Sequence, residues 1–212
     1  MQIAIPLFPR VTALDAIGPY EVLQRLPDTT VVFVGHQRGE VRSDNAMLGL
    51  SVDATFDEVP RPDVVVVPGG VGTRALLDGD PILDWVRTAH DTSRFTTSVC
   101  TGSLVLAAAG LLDGLDATTH WGAYDALERL GAHPTGQRVV EHLDRRTLTA
   151  AGVSSGIDMA LRLAELLTDR VTAEAMQLMV EYDPQPPFDS GSVDAAGETV
   201  LARVIELMQT KD

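Results

Sequence analysis

The run Val64-Val65-Val66-Val67, followed at once by Pro68-Gly69-Gly70, restricts the fold more than any other feature of this sequence. Four consecutive β-branched residues leave no polar face, so the strand they form must be covered on both sides. Such a strand belongs inside a parallel sheet with a layer of helices on each face. The proline then stops the ladder and the glycines turn the chain.

The flanking pattern agrees. Gln2 to Phe8 is a second apolar run, ended by Pro9, and Thr12 caps a helix from about Ala13 to Leu26 that Gly18-Pro19 interrupts early. Thr30 to Val34 reads as a strand, and Val41 to Val52 as antiparallel edge strands around Asn45 and Gly49. A short helix is expected around Ala75 to Leu77, then one from Pro81 to about His90 with the proline in its first turn. Phe95 to Val99 is a strand that leads into an Ala- and Leu-rich helix ending near Ala109. Beyond it come a helix over Trp121–Leu130, strands over Arg138–Glu141 and Thr147–Ala150, and helices over Met159–Leu167 and Ala173–Val180. An irregular Pro-rich spacer from Asp183 precedes a last helix over Ala195–Met208. Strands alternating with helices, without a repeat or a dividing linker, imply one α/β domain over residues 1–212, a sandwich on a mostly parallel sheet. The tail from residue 183 is expected to pack on that domain or on a partner subunit, and Met176, Leu178 and Met179 to serve as core or as a partner-facing stripe.

The chain has 212 residues, 45% of them hydrophobic, which suffices for one well-filled core. Thirty acidic residues against 16 basic give a net charge of −14. That balance opposes nucleic acid and anionic membranes, both of which demand clustered Lys and Arg, and leaves a small neutral substrate or a protein partner. No apolar run reaches bilayer length and the N-terminus carries no basic leader, so a cytoplasmic protein is expected. A single cysteine excludes an internal disulfide framework and a Cys-based zinc cluster. His36, His90, His133 and His142 lack ligand spacing, so no metal is expected.

That cysteine, Cys100, stands between strand Phe95–Val99 and the following helix. Mid-strand it would read as a small buried hydrophobe. At a sharp strand-to-helix elbow its side chain is presented at the carboxyl edge of the sheet, where α/β proteins collect reactive groups. Gly102 permits the tight turn, and the helix N-terminus aims its amides at the sulfur, which predicts a thiolate near neutral pH. The turn Gly69-Gly70-Val71-Gly72 lies past the valine strand and fits neither a dinucleotide nor a P-loop pattern. With the Thr101 amide, its N–H groups would line a pocket for developing negative charge. Asp15 reads first as the acid of a capping box, Thr12-x-x-Asp15. It gains chemical meaning if the first strand lies beside the strand of Cys100, where a dry pocket would raise its pKa and let it hold a proton. His120 is either a partner of the cysteine or a capping residue.

The segments Leu14-Asp15-Ala16-Ile17-Gly18-Pro19, Val67-Pro68-Gly69-Gly70, Thr97-Ser98-Val99-Cys100-Thr101-Gly102-Ser103 and Ala117-Thr118-Thr119-His120-Trp121 together resemble the DJ-1/PfpI superfamily. Within it, the chain is most similar to the isocyanide hydratases. The likeness extends through Gly156-Ile157-Asp158 to the tail Glu181–Phe188. It implies a flavodoxin-like three-layer sandwich, a homodimer, and Cys100 as nucleophile beside an acid from the first helix. Most of the superfamily uses Glu there, whereas Asp15 matches the hydratases. Thr101 follows the cysteine as it does in the hydratases, where PfpI-type peptidases carry His. The implied activity is hydration of an isocyanide to an N-substituted formamide through a covalent thioimidate. Cys100, Asp15 and Thr101 would be catalytic, and Gly70, Val71, Gly72 and His120 would bind substrate, with no cofactor. The alternatives are a cofactor-independent glyoxalase and a redox-sensing or chaperone-like dimer. Related regulators append a helix-turn-helix module, for which this sequence leaves no room before Asp212.

Overall fold

Alternation of side chains sets the layers of this protein, whose computed structural model describes residues 1–209. The first unit, Met1–Val180, opens with strand β1 (Gln2–Pro6), helix α1 (Ala13–Leu23), strand β2 (Thr30–Gly35) and a hairpin of β3 (Gly39–Arg42) and β4 (Gly49–Val52). It continues with β5 (Ala54–Thr55), β6 (Val64–Val67), α2 (Pro81–Thr92), β7 (Phe95–Val99) and α3 (Gly102–Ala108). The remaining elements are β8 (Asp116–Ala117), α4 (Tyr124–Arg129), β9 (His133–Pro134), β10 (Val139–His142), β11 (Thr147–Ala150), α5 (Ser155–Leu167) and α6 (Arg170–Met179). The second unit, from Glu181 onward, contains α7 (Val193–Gln209), broken at Gly197 where φ is 73°.

Among the described residues the central sheet runs β10-β11-β7-β6-β1-β2-β5, with every pair parallel except the β10–β11 hairpin. All four valines of β6 are buried. Val65 and Val67 face Leu83, Val86, Leu104 and Leu106 of α2 and α3, while Val64 and Val66 face Val22, Leu23, Met159 and Leu163 of α1 and α5. The strand pleat divides one valine run between two cores, as the both-faces-covered reading requires. The result is the expected three-layer, flavodoxin-like α/β sandwich.

Local corrections have physical causes. Gly18-Pro19 does not interrupt α1, which runs through to Leu23. An interior proline forfeits a helix hydrogen bond at about 3 kcal/mol. Here α1 packs on α5 closely enough that Ile157 lies over the bare Cα of Gly18 and Pro19 lies against Gly156, and this burial offsets the loss. The segment after the glycine turn is a 3-10 helix, Val71–Leu76, and Trp121–Leu130 is split into a 3-10 turn and the shorter α4. Of the apolar stripe on α6, Met176 is buried while Leu178 and Met179 are exposed. No described helix is long and apolar enough to cross a membrane.

Candidate active site

Strand β7 delivers Cys100 to the carboxyl edge of the sheet in the left-handed region, with φ 56°. A non-glycine residue there is strained and persists only where its surroundings over-determine it. Its N–H donates to the carbonyls of Ala150 and Ala151, at 3.1 and 2.9 Å. Its carbonyl accepts from the hydroxyls of Ser103 (3.1 Å) and Thr119 (3.0 Å). Gly102 is required immediately afterwards, because a Cβ there would lie 2.1 Å from the Val67 carbonyl oxygen. The side chain is only 5% exposed.

Asp15 does not cap its helix. Thr12, at the α1 N-terminus, donates its hydroxyl to Asp44 instead (3.3 Å), and Asp15 turns inward and is fully buried. Its Oδ2 accepts the Gly69 N–H at 2.9 Å, while Oδ1 is buried with no conventional hydrogen-bond partner. The strand order places β6 between β1 and β7, so adjacency of those two strands is not what brings the carboxyl to the sulfur. The Gly69 turn at the end of β6 bridges the gap. A Cβ on Gly69 would lie 2.5 Å from the Thr101 nitrogen and 2.9 Å from Asp15 Oδ2. Only a glycine lets the acid of α1 and the start of α3 meet there.

Burial, opposed by the Gly69 amide and by Cys100, pushes the Asp15 carboxyl up to about 7, with a further push from the charge of Asp44. Burial and the neighbouring Asp15 push the Cys100 thiol up to about 12, against the pull of the Val153 and Thr101 amides. This corrects the expectation of a resting thiolate. Two backbone donors do not offset the desolvation of a sulfur anion beside a carboxylate. The resting group is a thiol with a base at its side.

The turn after β6 is committed differently from the expectation as well. Gly70 donates its N–H to Thr101 Oγ1 (2.9 Å), and that hydroxyl donates back to the Gly70 carbonyl (3.1 Å). Gly72 donates to the Arg10 carbonyl (3.3 Å), and Val71 is exposed at the start of its 3-10 turn. The amides that bear on the sulfur are those of Thr101 and Val153. Val153, which precedes α5 with φ 34°, was not among the residues singled out in the sequence, nor were Thr119 and Ser103. A signal for Val153 exists: strand Thr147–Ala150 runs through a Gly-Val-Ser-Ser turn into a helix, the same grammar that marks Cys100. His120 caps the following 3-10 turn, its Nδ1 accepting from Gly122 N–H at 3.2 Å, with its ring against Gly152 and tilted on Trp121. Burial pulls its pKa down, so it is neutral, and an occupied Nδ1 leaves the proton on Nε2. Among the described residues no three His, Cys, Asp or Glu side chains cluster to hold a metal ion.

A parallel-sheet sandwich with a cysteine on a strained elbow and a buried acid beside it defines a class of cysteine-bearing α/β proteins. The chain belongs to the DJ-1/PfpI family, whose sequence pattern matches residues 1–166. It is 47% identical over 201 residues to an isonitrile hydratase of Pseudomonas putida, covering 95% of this chain and 87% of that one. It is 31% identical over 136 residues to the transcriptional regulator GbdR of Pseudomonas aeruginosa, covering 64% of this chain but only 37% of the regulator. The crystal structure of a ThiJ/PfpI family protein from Pseudomonas syringae superposes with a TM-score of 0.92 at 39% identity, covering 99% of this chain and 86% of that one. Drosophila melanogaster DJ-1beta, at 22% identity and a TM-score of 0.76 over 85% of this chain and 97% of that one, shares the fold.

Proposed function

We propose that this protein is an isocyanide hydratase in which Cys100 is the nucleophile and Asp15 the proton carrier. The observation that carries the reading is the buried Asp15 carboxyl, tied to the Gly69 amide and set against the Cys100 thiol. Its likeness to an isonitrile hydratase along nearly its full length supports the substrate class. A carboxyl that titrates near 7 is half ionised under ordinary conditions, so it can both accept and return a proton.

The chemistry balances with these two groups and one water. The Asp15 carboxylate takes the thiol proton as the sulfur bonds the terminal isocyanide carbon, and passes that proton to the same carbon, giving the thioimidate R–N=CH–S–Cys. Asp15 then removes a proton from water as its oxygen adds to that carbon, and the imine nitrogen gains the proton. Collapse of this adduct breaks the C–S bond, releases R–NH–CHO and returns the thiol. Splitting the hydration in two through a soft nucleophile dispenses with a cofactor. During each step the Thr101 and Val153 amides bear on the transient sulfur anion, and the Thr101 hydroxyl, locked to Gly70, keeps the Gly69 turn on Asp15. Gly70, Val71, Gly72 and His120 border this centre in the reading, with His120 offering its Nε2–H.

Cys100→Ala decides the case. It is expected to abolish formamide production from a simple alkyl isocyanide while leaving the far-ultraviolet circular dichroism unchanged. Turnover retained by that variant, or wild-type turnover of methylglyoxal in place of isocyanide, would overturn the assignment. We also infer that the chain works as a cytoplasmic homodimer without nucleic acid, the last of which its excess of acidic residues favours. Sedimentation at the mass of one 22.7 kDa chain would contradict the dimer.

A further inference from the structure

We propose that Thr119, seconded by Ser103, is a positioning residue for the nucleophile: by holding the Cys100 carbonyl it fixes and polarises the Cys100–Thr101 peptide so that its N–H bears on the sulfur. The inference deepens the functional reading and rests on Cys100 being the reactive thiol. The Cys100 carbonyl and the Thr101 N–H are the two ends of one planar unit. At the carbonyl end, the Thr119 and Ser103 hydroxyls donate at 3.0 and 3.1 Å, with the Ser103 N–H more distant at 3.4 Å. Both side chains are fully buried, so neither has water as an alternative partner. At the amide end, the N–H belongs to the residue that follows the cysteine and favours the sulfur anion.

Donors on a carbonyl strengthen the N–H of the same peptide, because each bond polarises the next. They also pin the plane of that peptide, at a residue whose positive φ would otherwise relax. Thr119 is itself set by its neighbour: Thr118 donates its N–H to Thr149 Oγ1 (3.0 Å) and its hydroxyl to the Thr135 carbonyl (3.3 Å). The charged and titratable groups around the thiol are few. Asp15 faces it from α1, with Asp44 of the β3–β4 loop behind, and the neutral His120 stands one residue beyond Thr119. The α3 and α5 ends contribute the amides of Thr101 and Val153. Asp15 opposes the thiolate and the amides favour it, so loosening the Thr101 amide makes ionisation harder.

Because Cys100 is the sole cysteine, alkylation by iodoacetamide reports on it alone and needs no isocyanide. In the full-length chain, Thr119→Val is expected to slow alkylation about three- to tenfold at each pH between about 7 and 10. The whole rate profile should shift to higher pH, with a matching fall in kcat and little change in KM. Thr119→Ser, which keeps the donor, should restore both. A folded Thr119→Val variant with the wild-type alkylation profile would overturn the proposal. If that variant fails to fold, Ser103→Ala removes the other donor, and an unchanged profile there is equally fatal. Should wild type lack hydratase activity, the alkylation series still separates this inference from the choice of substrate.

Discussion

Thr12-Ala13-Leu14-Asp15 and Thr55-Phe56-Asp57-Glu58 carry the same helix-capping signature, a threonine three residues before an acid, yet the two acids end in opposite states. Glu58 behaves as the signature predicts, its Oε2 accepting from the Thr55 N–H at 2.7 Å and the Thr55 hydroxyl at 3.2 Å. The Arg38 guanidinium first, and the Thr55 N–H second, pull its pKa down to about 2. At Asp15 the bond a capping box needs is already spent, because the Thr12 N–H donates to the Gly69 carbonyl at 2.9 Å. Gly69 replaces the box with both its backbone groups, since its N–H then donates to the displaced carboxylate. One acid is left in water with an ion pair, the other in a dry pocket with a thiol. A local motif is overruled when a distant backbone offers the same two hydrogen bonds and burial besides.

The contrast is broken most severely at Asp15. Asp15→Asn keeps an acceptor for the Gly69 N–H but cannot exchange protons with Cys100. It is expected to lower kcat/KM for isocyanide hydration by about 10²- to 10⁴-fold. In wild type the same kcat/KM should rise with pH through about 7, as Asp15 becomes the base. The variant should nevertheless be the more stable protein above that pH. The folded-state pKa of Asp15 stands above its ordinary value of 3.8, so its contribution to stability is fully present below 3.8 and lost as pH rises through about 7. At pH 8 wild type therefore bears a buried charge that the variant lacks, a gap of at most about 4 kcal/mol that closes toward pH 4. Thermal melts of the two proteins across that range check both sign and window, and a variant less stable at pH 8 would mean that Asp15 is structural after all.

Gly69→Ala attacks the replacement itself. The added methyl meets the Thr101 nitrogen and hydroxyl and the Asp15 carboxyl at 2.5 to 2.9 Å, the first a backbone atom and the other two on short side chains. Overpacking of this kind costs about 1–3 kcal/mol, and displacement of the acid by even a fraction of an ångström removes the proton path. Activity is expected to fall about 10- to 100-fold, with a melting point lower by several degrees. Full activity in this variant would mean that the turn does not set the carboxyl.

How far the sequence discloses this depends on the range of the interactions. The four-valine strand, the elbow at Cys100 and the helices around them follow from local pattern, and the structure realises each within a few residues. The two valine faces and the antiparallel pairing of residues 39–52 follow as well. However, β3 and β4 form a sheet of their own and are not the expected edge strands of the central sheet, and the antiparallel pairing of β10 with β11 is not written in the local pattern. Asp15 was legible as an acid of interest, but its inward turn depends on Gly69, 54 residues away, and on strand order. The resting thiol is hidden from the sequence for the same reason: local helix amides are visible in the chain, whereas the desolvation that outweighs them belongs to the assembled fold. Val153 and Thr119 reach the cysteine from loops after β11 and β8, at separations no spacing rule spans.

The gentlest probe is Glu58→Gln, on the side of the comparison where the signature is obeyed. The amide oxygen still accepts from Thr55, so only the charge facing Arg38 disappears. That pair is exposed at both ends, where solvent and salt screen it, so the loss of stability at neutral pH should be small and shrink further at high ionic strength. The sign is opposite to that of Asp15: a depressed pKa supplies stability above the unfolded value of 4.5, and it is lost as pH falls through about 2. Wild type and Glu58→Gln should therefore converge in acid, where Asp15→Asn and wild type also converge, and diverge in opposite directions above it. Hydration kinetics of Glu58→Gln should match wild type throughout. A loss of turnover there would show that the two acids are coupled through the β5–β6 region, and that the burial of Asp15 alone does not account for its chemistry.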